Sequence, residues 1–404
     1  MMKNFFPNKT AFYSLICACF VVCVTMGVRQ TFGLYSSEFE TSGGTSSTEF
    51  GLAIAVHAIF WGIFTPIFGR ISDRLGGYIV IVPALIFYSI AMLLMGNNYI
   101  SGMWLQINLG LFVGIGLAGA AGTILTPMIS KHFPNENRSK AAGIVTACGG
   151  LGMFIFPIMA NIFKNISTWQ ISFILFSIIL FLMCLPGIFV RLPKNQTPSV
   201  ISDLDNRSFK EVLKESFSHK GFRLLILGFF VCGFQITLIA THVPRYVQDK
   251  GLADWTGMAI LALIGFFNIL GTLVMGYLGD KFSKKILLSG LYFLRGIALI
   301  LFIFLPASNL SALLFGTTFG LLWLATVPAT NGIVAQIFGT KNLSFLFGIV
   351  FLNHQFGSFL GAYLGGYFYD NFGSFDYAWY LAIVLSFVAT AIHLPIDERP
   401  IDKT

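Results

Sequence analysis

Charged residues are scarce in this sequence. Asp, Glu, Lys and Arg make up 10% of the 404 residues, 56% are hydrophobic, and the mean hydropathy is +0.79. Soluble domains have about 25% charged residues, so the composition excludes an ordinary soluble protein and indicates an integral membrane protein. Because backbone groups in lipid must bond within the chain, we expect helices of about 20 residues each.

The sequence also lacks the motifs of several other protein classes. It has no G-x-x-x-x-G-K-[ST] loop for nucleotide phosphates, so we expect no ATP-driven transport. No spacing of Cys or His indicates a metal, and no carboxylate pair or activated nucleophile stands in an apolar run, so we predict no enzyme activity, metal or cofactor. The six cysteines, all in apolar runs, are Cys17, Cys19, Cys23, Cys148, Cys184 and Cys232.

Twelve apolar runs are long enough to cross a membrane. The predicted spans, numbered 1 to 12 in chain order, are residues 11–35, 50–69, 78–96, 102–129, 140–163, 169–190, 222–247, 256–279, 286–305, 311–338, 343–369 and 377–395. We predict an all-α protein with an N-terminal six-helix bundle (1–190), a linker (191–221) and a C-terminal six-helix bundle (222–404).

The linker contains one segment with helical periodicity. "SFKEVLKESF" places Phe209, Val212, Leu213 and Phe217 on one side and four charged residues on the other. This pattern predicts an amphipathic helix along the membrane surface. A disordered linker is the alternative.

Basic residues are distributed unevenly between the two ends of the spans. If the N-terminus is cytoplasmic, cytoplasmic segments hold 20 of the 25 Lys and Arg. The positive-inside rule then predicts that both termini are cytoplasmic, in a bacterial inner membrane. The net charge of +8 would face anionic lipid, so it requires no nucleic acid.

Two loops repeat at an offset of 207 residues. "GRISDRLGGY" joins spans 2 and 3, and "GYLGDKFSKK" joins spans 8 and 9, which indicates duplicated halves related by an axis along the membrane normal. We expect the glycines to allow close helix approach and the acids to hold the halves together at this side. The residues of this predicted gating motif are Gly69, Asp73, Arg74 and Gly76, and Gly276, Asp280 and Lys281.

These loops resemble the G-x-x-x-D-R-x-G-R-R signature of the major facilitator superfamily. "GVRQTFGLYSSEF", "ATHVPRYVQDKGL" and "GFFNILGTLVMGYLGD" are similar to bacterial relatives of the monocarboxylate porters and oxalate/formate exchangers. The resemblance implies two pseudo-symmetric six-helix bundles around a central cavity that opens alternately to each side. It also implies small organic anions as cargo, moved with protons or exchanged.

Two permanent cations lie inside predicted spans, and no acid lies near a midplane. Burying an unpaired Arg costs from about 3 to above 10 kcal/mol, so Arg29 and Arg295 are candidates for binding a carboxylate. Arg29 could instead reach the membrane surface and pair with Glu38 or Glu49. Arg295 could instead bond freed backbone carbonyls. The porters' arginine in span 8 is absent here, because that position is Thr272.

Proton coupling requires a group that titrates near neutral pH. We predict this role for His57, His242 and His354, although membrane histidines are often only hydrogen-bonded. The neutral candidates could orient a cargo or join helices. The predicted cargo-binding set, with the cations and two histidines, is Arg29, Gln30, His57, Gln235, Asn268, Arg295, Asn331, His354 and Gln355.

We therefore predict a monomeric secondary transporter of a small organic anion, coupled to protons. Anion exchange is the nearest alternative. Export of hydrophobic or cationic compounds would favour acids in the cavity, and a transporter-like receptor would usually carry a long cytoplasmic domain.

Overall fold

The computed structural model describes residues 6–97, 101–191, 209–339 and 343–401. The regular secondary structure of these residues is entirely helical, and twelve of their stretches are long and apolar enough to cross a membrane. The helices are Lys9–Gln30, Phe32–Tyr35 (3-10) and Ser36–Gly43 in span 1; Ser47–Leu75 (span 2); Gly77–Met95 (span 3); Gly102–Leu105, Gln106–Phe112 (π), Val113–Ala120 and Gly122–Ser130 (span 4); Asn135–Ile166 (span 5); Trp169–Leu182 and Cys184–Phe189 (span 6); Phe209–Ser218 in the linker; Lys220–Asp249 (span 7); Trp255–Lys281 (span 8); Lys284–Phe304 (span 9); Asn309–Leu322 and Thr326–Phe338 (span 10); Leu343–Phe372 (span 11); and Asp376–His393 (span 12).

Span 1 is longer than its apolar run predicts. A 3-10 turn, Phe32–Tyr35, continues the helical path into Ser36–Gly43, which stops at Gly44 with a left-handed φ of 62°. Hydropathy does not reveal this extension because its residues are polar. Arg29 consequently lies in the interior of the 34-residue stretch Lys9–Ser42, farther from its end than expected.

Spans 4 and 10 are each broken near their middle. In span 4, Ala121 is extended (φ −90°, ψ 175°), and a new helix begins at Gly122. In span 10, the helix ends at Leu322 and resumes at Thr326. The hydropathy of the two runs predicts neither break, because hydropathy reports burial but not helix continuity.

The predicted linker helix is present as Phe209–Ser218. Val212 is buried, and the Phe217 ring packs edge-on against Phe222 at the start of span 7, with 5.8 Å between ring centroids. The helix therefore packs against the C-terminal half. Its position on a membrane surface stays a prediction. The predicted bounds of the linker also stay a prediction, and residues 192–208 lie outside the described part.

Two hydrophobic cores hold the helices together. One consists of buried residues from Ala11 to Val190 with Ala362, and the other runs from Val212 to Ile396 with Met153. Close helix packing at small residues supplies much of the association between membrane helices. Gly361 of span 11 shows this, because a Cβ at that position would collide with the Phe234 carbonyl of span 7.

The two halves meet at the face opposite the chain ends, here named the distal face. The Asp370 carboxylate of span 11 accepts hydrogen bonds from the amides of Ser47 (3.1 Å) and Thr48 (2.7 Å), which begin span 2. Arg245 of span 7 also pairs with Glu40 at 2.5 Å. Carboxylates are stabilised at a helix N-terminus by its amides and dipole, so these contacts close the distal face.

The halves separate toward the terminal face, where the chain begins and ends. A Cβ added at Gly143, Gly276 or Gly348, in spans 5, 8 and 11, would have no atom within 4 Å. Closer to the distal face, the rings of Trp61 and Phe351 still meet across the halves, 5.9 Å apart. No described atom therefore packs against these three glycines, and the region beside them is named the opening.

Candidate functional site

Arg29 lies in the interior of span 1 without an acidic partner among the described residues. Its Nε donates to His57 Nε2 at 3.4 Å, and its guanidinium carbon is 5.2 Å from the centre of the Trp61 ring. Neither proposed acid pairs with it. Glu38 pairs with Lys164, and Glu49 closes the capping box that begins span 2.

His57 is the neighbour that receives the Arg29 hydrogen bond. Its side chain is 1% exposed, and its Nδ1 has no partner among the described residues. Phe32 and Trp61 surround the ring, with centroids at 6.3 and 6.0 Å. Because Arg29 can only donate, His57 Nε2 must be the acceptor, so the ring is neutral with its proton on Nδ1.

The break in span 4 adjoins this pair. Trp61 Nε1 donates to Thr123 Oγ1 at 3.3 Å, and Thr123 is the second residue of the helix Gly122–Ser130. No side chain caps this helix, so its first amides have no acceptor within the helix. Gly122 and Thr123 are both half-exposed. The Ile124 and Leu125 amides donate to the Ala121 carbonyl, so the break leaves the amides of Gly122 and Thr123 without a helical acceptor, on the helix that Trp61 contacts.

The C-terminal half contributes three residues from span 11. Phe351 stacks on His354 at 5.7 Å, and His354 Nδ1 is hydrogen-bonded to Gln355 Oε1 at 3.1 Å. Gln355 Nε2 donates across the halves to the Ala58 carbonyl at 3.1 Å. Together these residues form the interface cluster: Arg29, His57, Trp61, Phe351, His354 and Gln355.

The interface cluster contains one permanent cation, two imidazoles and aromatic walls, at the depth where the halves part. This geometry suits an amphipathic anion. Sequence reasoning identified four of its six members and missed Trp61 and Phe351, because an aromatic residue in an apolar run is indistinguishable from a core or lipid-facing residue.

Comparison with known proteins identifies the family. The family model described as Major Facilitator Superfamily matches residues 15–326 and 259–404. This chain belongs to the major facilitator superfamily. It is therefore a multi-pass membrane protein of a transporter family, as its twelve spans also indicate.

Individual relatives in the superfamily differ in cargo. The chain is 29% identical to Uncharacterized MFS-type transporter YcxA of Bacillus subtilis, over 69% of this chain and 68% of that protein. It is 22% identical to Monocarboxylate transporter 13 of Rattus norvegicus, over 91% and 84%. Other relatives are named as multi-drug resistance efflux pumps and a hexuronate transporter.

A solved structure of this superfamily shares the fold. A bacterial homolog of the human lysosomal transporter Spinster matches with a TM-score of 0.76 over 96% of each chain, at 17% identity.

Arg295, Gln235 and Asn268 lie away from the opening of this superfamily member, in the interior of its C-terminal half. All three are at most 2% exposed. Arg295 donates to Gln235 Oε1 (3.3 Å) and to the Leu322 carbonyl, and Asn268 accepts from the Leu324 amide. Arg295 and Asn268 thus bond backbone groups at the break in span 10, and Gln235 Nε2 donates to span 12. Their role in cargo binding stays a prediction.

The other polar candidates are also outside the interface cluster. His242 contacts the Ala362 carbonyl at 2.8 Å and joins spans 7 and 11. Gln30 is buried, and both polar atoms of its side chain have no partner among the described residues. Asn331 is half-exposed on the second helix of span 10.

Among the described residues, no hydrogen bond or ion pair joins the repeated motif of one half to the other half. Gly276 has open space beside it, and Gly69 would meet only an Ile124 methyl carbon, at 3.7 Å. Neither glycine is in close contact with another helix here, and the gating role of the motif stays a prediction. Lys281 bonds the Tyr277 hydroxyl in its own helix. Arg74 and Asp280 are exposed, Gly76 ends the span 2 helix, and the Asp73 side chain lies outside the described part.

Proposed function

We propose that this protein is a secondary transporter of small organic monoanions, with Arg29 as the residue that binds their carboxylate. The observation that carries the proposal is a guanidinium within a membrane span, partly buried and without an acidic partner among the described residues. Because an unpaired charge in the membrane is costly, such a residue is expected to serve a ligand.

The free donors of Arg29 support carboxylate binding. Only its Nε donates to a described residue, which leaves both terminal nitrogens available. Two parallel hydrogen bonds to a carboxylate are the preferred geometry of a guanidinium. The first amides of Gly122–Ser130 lie beyond Trp61 and Thr123, and a half-helix N-terminus favours an anion in the same way.

The count of charges favours one negative charge on the cargo. Arg29 is the single permanent cation of the interface cluster, and Arg295 is fully buried with its donors occupied. While His57 is neutral, a dianion such as oxalate would leave one charge uncompensated. The rings of Trp61 and Phe351 offer apolar contact to the remainder of a monocarboxylate.

His57 provides a physical route to proton symport. Protonation of His57 would remove the acceptor of the Arg29 hydrogen bond and place a second positive charge beside Arg29, and an anion that contacts both side chains would offset that repulsion. Anion binding and proton binding then favour each other, and by linkage the effect is reciprocal. His354, stacked against Phe351, is the second candidate.

Alternating access completes the proposed cycle. The positive-inside distribution assigns the terminal face to the cytoplasm of a bacterium, so this conformation would be open inward. The distal contacts of Asp370 and Arg245 would break when the protein opens outward. We propose that a monomer in the bilayer performs the cycle with the anion and protons as its ligands.

Two alternatives differ in measurable ways. Anion exchange would use the same Arg29 site without a net proton movement. Export of cations would bring a second positive charge to Arg29, and no described carboxylate of the interface cluster would offset it.

Uptake into proteoliposomes tests the proposal. Labelled lactate, pyruvate, formate and oxalate are compared with and without an imposed pH gradient, for the wild type, Arg29→Gln and the exposed control Arg223→Gln. Loss of a buried charge partner costs about 2–5 kcal/mol, so Arg29→Gln should lower uptake at least 30-fold, roughly the equivalent of 2 kcal/mol. Normal uptake by folded Arg29→Gln would refute the assignment.

A further inference from the structure

The break in span 10 leaves backbone groups that the helix cannot satisfy. The helix Asn309–Leu322 ends at Trp323, whose ψ of −77° departs from the helical path, and Thr326–Phe338 begins three residues later. In a membrane, carbonyls and amides at such a break need other partners, because lipid offers none.

Arg295 of span 9 serves the carbonyl side of the break. Its Nη2 donates to the Leu322 carbonyl at 2.7 Å and to the Trp323 carbonyl, and its Nε donates to Leu322 at 3.2 Å. Nη1 donates to Gln235 Oε1 of span 7 at 3.3 Å. A planar fork with five N–H groups can serve these acceptors together, whereas a lysine ammonium cannot match that geometry.

Asn268 of span 8 serves the amide side. Its Oδ1 accepts from the Leu324 amide at 3.0 Å and from Thr272 Oγ1 at 3.3 Å. One turn further, Gly271 packs so closely that a Cβ there would collide with the Leu321 carbonyl. Span 8 therefore lies directly against the break, and its side-chain oxygen replaces the missing helical acceptor.

The same network continues into spans 7 and 12. Gln235 Nε2 donates to Ser386 Oγ at 2.5 Å and to the Ala382 carbonyl at 3.1 Å. The Cys232 sulfur lies 3.2 Å from Thr326 Oγ1, at the first residue of the second helix of span 10. Spans 7, 8 and 9 thus contact the break directly, and span 12 holds Gln235, the partner of Arg295.

We propose that Arg295 and Asn268 are positioning residues that set the orientation of the helix Thr326–Phe338 and do not bind cargo. This inference goes beyond the proposed function, since it holds for any cargo. The second helix carries Asn331, its half-exposed asparagine, into the part of the C-terminal half that borders the terminal face.

Hydrogen exchange of the purified full-length protein tests the proposal without a known cargo. Peptides covering Leu324–Phe338 are compared with peptides covering the broken span 4, Gly122–Ser130, in the wild type, Arg295→Lys and Asn268→Ala. Each variant should raise exchange in Leu324–Phe338 about tenfold, the effect of losing one hydrogen bond of ordinary net strength. Exchange in Gly122–Ser130 should stay unchanged.

The two variants also test each other. Because both act at one break, the double variant should raise exchange by less than the product of the single effects. The exposed control Arg223→Lys should change nothing. Unchanged exchange in Leu324–Phe338, or an equal rise in Gly122–Ser130, would overturn the proposal. If Arg295→Lys does not fold, the exchange of Leu324–Phe338 in Asn268→Ala tests the proposal by itself.

Discussion

The distal face should open when the carboxylate at the start of span 2 is neutralised. Asp370 accepts from the amides of Ser47 and Thr48 across the two halves, and these hydrogen bonds are exposed to solvent. A carboxylate at an exposed helix N-terminus contributes about 0.3–1 kcal/mol through the dipole. Hydrogen bonds to a charged group contribute about 1.5–3 kcal/mol when they are less exposed.

Asp370→Asn keeps the shape but removes the charge and one acceptor. We take about 1–2 kcal/mol for its effect, between those two ranges. That energy is roughly a 5- to 30-fold shift away from the distal-closed state. The expected result is a new population of longer distances between spin labels placed on the exposed positions Thr41 and Lys250, measured in a background without native cysteines.

A matched variant separates this effect from a general change of surface charge. Asp249→Asn removes a carboxylate that pairs with Arg245 at 2.9 Å within the same span, so it breaks no contact between halves. Its distance distribution should match the wild type. Identical distributions for Asp370→Asn and the wild type would refute the reasoning about the distal face.

Three further predictions concern the site, the packing and the pH response. His57→Gln should abolish stimulation of uptake by a pH gradient and preserve exchange of the anion; retained stimulation would assign coupling elsewhere. Gly361→Leu should collide with the Phe234 carbonyl and lower the yield of monodisperse protein, whereas Gly348→Leu, which points into open space, should purify normally. Burial lowers the pKa of His132 in the folded protein, so stability is lost as pH falls through the usual histidine pKa. His132→Gln should therefore flatten the fall in unfolding temperature between pH 7 and 5. An unchanged fall would contradict this.

The membrane architecture follows from the sequence because lipid restricts the possible structures. Long apolar runs must be helices, and each of the twelve predicted runs corresponds to a described stretch of helix. The extension of span 1 to Gly43 did not follow, because its stability comes from packing and not from its own hydropathy. The breaks at Ala121 and Trp323 did not follow either, because at each break a side chain from another span bonds a backbone carbonyl.

The two membrane arginines show where sequence reasoning stops. The sequence alone predicts that each needs a partner or a ligand, because an unpaired guanidinium in a membrane span is costly. Whether an arginine has a protein partner depends on residues far away in the sequence. Arg295 faces carbonyls that are free only because span 10 is broken 27 residues later. Arg29 does not pair with Glu38 or Glu49, because Glu38 forms an ion pair with Lys164 and Glu49 caps the helix of span 2.

Thermal stability of the purified protein with matched acids and amides tests most directly whether Arg29 binds a carboxylate. The account predicts that lactate and pyruvate stabilise the wild type, by about 2.7 kcal/mol at a concentration of 100 times Kd. It also predicts that lactamide has no effect and that Arg29→Gln loses the response to both acids. Equal stabilisation of the wild type and folded Arg29→Gln by these acids would contradict it.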